Sequence, residues 1–566
     1  MARKPGKSSF AYSSDPAIPY KNVSVAQNED FSLGRASAAG SAKGSGKLPN
    51  PKKEEIHGKI LPTLGILPGV IELDGHLTVD EAEEVIFREK PVGLSQPGRE
   101  KLKASHQALL ALLKKEEPVY GVNTGFGALS RVRVPKGDLS QLQLNLVRSH
   151  AAGVGEPLPD RVVRAVLLFR ANSFLQGASG VRPEIVDLLL GMLNRGVYPV
   201  IPSQGSVGAS GDLGPLAHLA LVLIGEGKAR FGGEELSGGE ALRRAGLTPL
   251  SEFLPKEGLA LLNGTSVMLA LLFCAWVLGK RAFSGALGGA ALTFQALRGK
   301  TQPLDPRIHA LRPHPGQQKI AEIMRNLLSG SKLTDTFFDD VQDPYSLRCL
   351  PQILGPVWEI LEGVRKTLEI EMNAATDNPL ILPGGEALCG GNFHGQILAL
   401  AAEELSLALS ILGNSCERRL NLLLNAQDRG LPPFLARTPG KSSGLMLLQY
   451  TAAALSAENK VLAHPAAVDT IPTSGGKEDH NPMGATSCWK ALRIAENVGY
   501  QVALELVADR WALAIQGEEK LSPASMDFYA ELAKLVPPPG EDQVMAEYIS
   551  KVAEEIREGR LTIHGV

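Results

Sequence analysis

The chain has 566 residues, and 58 Lys and Arg stand against 60 Asp and Glu for a formal net charge of −2. That balance leaves no electrostatic footprint for nucleic acid or an anionic membrane, and the length holds three or four domains' worth of sequence. The five cysteines show no paired metal-ligand spacing and aromatics are only 5 %, which fits a reduced, cytoplasmic protein built by helix packing rather than a β-sandwich.

Residues 1–55 are rich in Ser, Gly, Ala, Lys and Pro and poor in bulky apolar side chains, so they are expected to be a disordered tail. The basic start at Arg3 and Lys4 is not followed by an apolar core, so no secretory signal is expected. Order is expected from about Ile60, with a short strand pair and turn over 69–75. Thr78, followed by acidic residues, predicts a capped helix start. Residues 119–127 interleave three glycines with Tyr120, Asn123 and Phe126. Without G-x-G-x-x-G spacing or a following Lys-Ser/Thr, a nucleotide loop is disfavoured and a functional loop of another kind is expected. Helical periodicity takes over from Leu139, with a further helix over 162–176.

The densest local signal is 205–220, where Ala209, Ser210 and Gly211 sit among Gly205, Gly208 and Gly214. Glycines let this backbone fold sharply. Asp212 stands at a helix-cap position, Pro215 in the first turn, and 216–224 reads as an apolar helix. The chain contains its own control: Ala178, Ser179 and Gly180 repeat the tripeptide without the surrounding glycines, so the context carries the information. The longest apolar run, 267–279, is shorter than the roughly 18–20 residues that span a bilayer. Further helices are predicted around 280–298, 317–329, 352–372, 395–425, 443–463 and 485–515. The fold class predicted is mainly α, an elongated antiparallel helix bundle with a smaller mixed N-terminal region. The domains are expected at 56–260 and 261–566, after the tail.

Eight segments in order, 120–127, 149–156, 205–220, 256–265, 341–348, 376–380, 390–396 and 453–480, resemble the aromatic amino acid ammonia-lyase and aminomutase family. Together they cover nearly everything from residue 60 to 515. The resemblance implies that the Gly211 nitrogen attacks the Ala209 carbonyl and that Ser210 loses its hydroxyl as water. The product is a 4-methylidene-imidazol-5-one (MIO), an electrophile within the backbone that needs no external cofactor and no metal. A helix starting just beyond it would make the ring more electron-poor. The resemblance also implies Tyr120 as the base on a mobile loop, Asn263 beside the ring and Tyr345 as its support. Arg348 would bind the substrate carboxylate, with Gln342 and Phe393 in the substrate-binding set.

Each polar residue has a plainer reading beside this one. Arg348 could pair with Asp343, although the planar fork of arginine suits a substrate carboxylate. Asn263 could cap the following helix, and Tyr345 could be a core aromatic. A phenol is a poor base at neutral pH unless positive charge such as clustered helix N-termini surrounds it.

The pair Ser149-His150 follows the family's histidine-specific members at the ring-selecting position, where tyrosine enzymes read His-Leu and phenylalanine enzymes Phe-Leu. Glu458 matches a carboxylate of the histidine type that would recognise an imidazole N–H, though a surface pair with Lys460 is the plainer reading. Residues 478–480 match that type too. Three positions depart from it: Lys477 and Leu350 each stand where Gln is usual, and Gly395-Gln396 is similar to the phenylalanine and tyrosine enzymes and the aminomutases. The implied activity is elimination of ammonia from L-histidine to give trans-urocanate. The alternatives are a tyrosine or phenylalanine lyase, an aromatic 2,3-aminomutase, or an inactive helical scaffold, the last disfavoured because Tyr120, Ser210 and Arg348 are all present. The resemblance also implies a homotetramer with dihedral symmetry, each site drawing on three chains.

Overall fold

The helix Ser266–Ala296 is apolar on every face, and every one of its residues except Lys280 is buried. A helix with no polar stripe must be surrounded, and here the helices Gly484–Gln516, Gln396–Leu424 and Asp160–Phe174 pack around it. Residues 69–115, 117–127 and 130–563 are described in this computed structural model; the tail expected over 1–55 lies outside them.

The apolar run ending at Gly279 and the helix predicted from 280 are one continuous helix. A Cβ at Gly279 would lie 3.0 Å from the Leu409 side chain, so this glycine serves helix packing, not chain termination. At 31 residues the helix is long enough to cross a membrane, yet its most apolar window is 94 % buried within the protein. It is a core helix. The other long helices, Pro315–Leu328, Leu350–Glu371, Gln396–Leu424, Met446–Leu462 and Gly484–Gln516, lie where periodicity predicts them to within about three residues. The mainly helical fold class holds. The division expected at 260/261 falls inside a short helix, Glu257–Leu262.

The strand pair expected over 69–75 is not a hairpin. Ile71–Leu73 pairs in parallel with Val92–Leu94, and the helix Val79–Phe87 forms the crossover that a parallel pair requires. Thr78 caps that helix as predicted: its hydroxyl accepts the Glu81 N–H at 3.2 Å, and the Glu81 carboxylate accepts the Thr78 N–H at 2.9 Å. A second small sheet, Val154–Pro157 with Pro202–Gln204, sets the end of the helix Leu139–His150 beside the glycine-rich segment. A Cβ at Gly205 would lie 3.0 Å from the Gly153 Cα, so these backbones meet closely.

Candidate active site

The segment around Ser210 is a junction of helix starts. The helix Leu213–Leu223 begins two residues after Gly211. The Gly395 N–H, at the start of Gln396–Leu424, donates to the Gly208 carbonyl at 3.0 Å. A Cβ at Gly208 would come within 3.3 Å of the Gly484 nitrogen, where Gly484–Gln516 begins. Asp212 does not cap its own helix, as its position suggests. Its Oδ2 accepts the Val267 and Met268 N–H groups at 2.9 Å each, capping Ser266–Ala296, while Oδ1 accepts the Ser206 hydroxyl at 2.9 Å. Four helix N-termini therefore face one loop, the positive environment that an electrophile or a phenolate needs.

Burial raises the Asp212 carboxyl from 3.8 to about 6, although its N–H and hydroxyl donors oppose the shift. A carboxyl raised on folding contributes stability that is full below its unfolded value and lost as pH rises through the folded one. Asp212→Asn should therefore flatten the fall of stability between pH 4 and 6, by up to about 3 kcal/mol. Thermal melts across that range test it.

The backbone at Ser210 fits a ring closure. Gly211 has φ 69° and lies against Gly264, where a Cβ would be 2.2 Å from the carbonyl oxygen. No other residue type fits there. The Asn263 amide donates to the Ser210 carbonyl at 3.0 Å, and its Oδ1 is buried without a hydrogen-bond partner. An unsatisfied buried acceptor beside Ser210 is a place held for a donor. Asn263 thus closes the helix Glu257–Leu262, and its side chain is spent on Ser210, not on capping the next helix.

A cleft of about 420 Å³ opens over Ser210, lined among others by Tyr120, Phe393, Lys477, Glu478 and His480. The Tyr120 Oη accepts the Gly127 N–H at 3.1 Å, a donor that stabilises negative charge on the phenol oxygen. Gln143, fully buried, ties this loop down by donating to the Gly121 carbonyl and accepting the Leu259 N–H. The His150 Nδ1 lies 2.9 Å from the Leu146 carbonyl, so the Nδ1–H tautomer donates to it and leaves the Nε2 lone pair free. Burial pushes this imidazole below its ordinary value, against the pull of the Leu146 carbonyl and the Glu478 carboxylate.

Glu478 is the residue that sequence pattern alone undervalues. Its Oε1 accepts the Ser210 hydroxyl at 2.5 Å and its Oε2 the Thr473 hydroxyl at 2.5 Å. Glu458, the carboxylate favoured from the sequence, does not line this cleft. It pairs with Arg493 at 3.0 Å on a half-exposed helix face, not with Lys460, and that guanidinium lowers its carboxyl.

Gln342, Tyr345 and Arg348 are also not at Ser210 within the chain. Gln342 and Arg348 line a separate cleft of about 270 Å³, and the Arg348 guanidinium lies 4.6 Å over the Tyr345 ring. Tyr345 is 67 % exposed, so it is not a core aromatic. Asp343 is engaged elsewhere, with Arg429 at 3.0 Å and the Lys300 N–H at 2.6 Å. The buried Arg348 Nε has no hydrogen-bond partner among the described residues.

Of the three departures from the histidine type, Leu350 and the Gly395 half of Gly395-Gln396 are packing positions, while the Gln396 Oε1 lies 3.3 Å from Nε2 of His480, which lines the cleft. Leu350 is buried at the start of its helix. A Cβ at Gly395 would meet Met268 at 2.5 Å. Lys477 lines the cleft directly. Beneath the loop, Lys256 and Asp377 form a fully buried pair at 2.6 Å, joining two of the sequence motifs. Beside them the Arg170 guanidinium, lowered to about 10 by burial, donates to the Ala260 carbonyl. Lys256→Met should cost about 3–5 kcal/mol by stranding Asp377, and Lys256→Met with Asp377→Leu much less. Denaturant titration of both variants decides it.

A sequence model of aromatic amino acid lyases matches residues 77–534. The histidine ammonia-lyase of Geobacillus thermodenitrificans is 46 % identical over 486 residues, 85 % of this chain and 96 % of the relative. Among solved structures, histidine ammonia-lyase from Trypanosoma cruzi superposes with a TM-score of 0.81 at 38 % identity, covering 87 % of this chain and 94 % of that one. Tyrosine aminomutase from Streptomyces globisporus does so with a TM-score of 0.82 at 37 % identity, covering 87 % and 97 %.

Proposed function

The chain belongs to the aromatic amino acid lyase family, and from that premise we propose that it is a histidine ammonia-lyase, converting L-histidine to trans-urocanate and ammonia. The observation that carries the substrate is the contact of Glu478 with Ser210, in the cleft that also holds Tyr120, with His150 close enough for the Glu478 carboxylate to act on its imidazole. An imidazole carries an N–H donor that phenyl and phenol rings lack, and the Glu478 carboxylate and the His150 Nε2 lone pair are both acceptors suited to it. A phenyl ring would leave those polar groups unpaired, at about 1–3 kcal/mol for each.

Ala209, Ser210 and Gly211 are proposed to cyclise to the methylidene-imidazolone, held by Asn263 and by the contact between Gly211 and Gly264. That group supplies an electrophile which makes departure of the substrate amine easier. The chain's own residues do the rest. Tyr120, its oxygen already receiving the Gly127 N–H, takes the β-proton. Phe393 closes the cleft wall, and Glu478 holds the imidazole N–H. We assign the imidazole-facing carboxylate to Glu478 in place of Glu458, whose charge Arg493 already neutralises. Glu458→Gln should therefore leave kcat/KM for histidine within about threefold, as for other exposed ion pairs, and steady-state kinetics check this.

Carboxylate binding is assigned to Arg348 of a second copy, because Arg348 and Ser210 of one chain line different clefts. An assembly also has a surface to use. On the helix Gln396–Leu424, Ile397, Leu400, Leu407 and Ile411 form a stripe, each 46–54 % exposed, and stripes of this kind mark protein interfaces. A homotetramer with dihedral symmetry places such faces together.

The reading is tested by incubating the protein with histidine, tyrosine and phenylalanine and following urocanate, coumarate and cinnamate by ultraviolet absorption. Urocanate should form fastest. Faster coumarate or cinnamate would sink the substrate assignment, and β-histidine would turn the lyase into an aminomutase.

A further inference from the structure

We propose that Glu478 is the proton-transfer catalyst that dehydrates Ser210, before it ever meets a substrate. The inference rests on the reading that residues 209–211 cyclise, and it adds the residue that drives the second half of that reaction. The carboxylate is well placed for proton transfer, because Oε1 accepts the Ser210 hydroxyl at 2.5 Å, a charge-assisted contact at the short end of its range. Thr473 fixes the other oxygen at 2.5 Å, and the Thr473 N–H donates to the Glu478 carbonyl at 2.9 Å, so the group is held from both ends. Asp212, directly after the tripeptide, is engaged with Ser206 and the Val267 and Met268 N–H groups, and Asp479 lines the cleft without a hydrogen bond to Ser210. Among the described residues Glu478 is the carboxylate in contact with the Ser210 oxygen.

The chemistry balances without an outside reagent. Gly211 nitrogen bonds to the Ala209 carbonyl carbon. The carbonyl oxygen then leaves as the first water, carrying the protons of the Gly211 and Ser210 nitrogens. The new ring acidifies the Ser210 Cα–H. The Glu478 carboxylate takes that proton and passes it to Oγ as the Cβ–Oγ bond breaks, so the second water departs, Cα=Cβ forms and the carboxylate ends as it began. Loss of Oγ frees Oε1 of its donor, and an imidazole N–H takes the vacated place. One carboxylate thus serves first the maturation of the site and then its substrate.

The test reads mass, not turnover. Freshly synthesised wild type, Glu478→Gln and Glu478→Ala are sampled over time, and the peptide containing 209–211 is weighed. Wild type should lose two waters. The Gln variant, equal in size but unable to transfer a proton, should retain the Ser210 water at least about 10²-fold longer, the scale of lost general acid–base catalysis. Added formate should restore water loss in the Ala variant, which a merely structural role would not allow. Variants that mature at the wild-type rate, or an Ala variant that formate leaves unchanged, overturn the proposal. Full mass in the wild type would remove the cyclisation reading itself. A matured wild type that makes no urocanate would sink only the substrate reading.

Discussion

Tetramers assembled from a mixture of Ser210→Ala and Arg348→Met chains should recover about a quarter of wild-type turnover, although either variant alone should be almost inactive. The expectation follows from the separation of the two residues. In one chain Ser210 lies in the cleft with Tyr120 and Glu478, while Arg348 lines another cleft with Gln342. On the proposed reading, a working site takes its electrophile from one copy and its carboxylate anchor from another. In a random mixture about one site in four draws both residues from chains where they are intact. Ser210→Ala alone removes the hydroxyl that must leave, and Arg348→Met leaves a substrate carboxylate without its fork. Turnover is measured after joint refolding or co-expression, with urocanate as the readout. Absence of recovery in mixed tetramers would mean that Ser210 and Arg348 serve the same chain, and the shared-site reading would fall.

Tyr120→Phe should lower kcat for histidine by about 10²–10⁴ with little change in KM, the range for loss of a positioned base. The phenol oxygen is the atom at stake, because the Phe variant keeps the ring that packs in the loop while losing the acceptor of the Gly127 N–H. Gln143 holds the loop through the Gly121 carbonyl, a contact the substitution does not touch. The two waters should still be lost at 209–211, so the mass of that peptide separates a lost base from a failed electrophile. A rise in KM with kcat unchanged would make Tyr120 a binding residue only.

Much of this protein is legible in its sequence because the information is local. Apolar residues around the whole circumference of 266–296 can only be buried. Thr78 and Glu81 stand at the spacing of a capping box and form one. The glycines around Ser210 each answer a backbone demand, and Gly211 meets it with φ 69° against Gly264.

The roles that stay ambiguous in the sequence depend on which distant segments meet. Asp212 reads as the cap of the helix that follows it, and tertiary packing gives its Oδ2 to another helix more than fifty residues on. Glu458 and Glu478 both look like acceptable partners for imidazole. The fold sets them apart, because one meets Arg493 and the other meets Ser210 across 268 residues of chain. Gly395 resembles a substrate marker in the sequence, whereas the structure shows it yielding space to Met268. Local pattern fixes helices, caps and the glycine-framed turn around Ser210, since hydrogen bonding and burial act within a few residues. Which carboxylate faces the hydroxyl, and which helix Asp212 caps, is set by long-range contacts that no local pattern encodes.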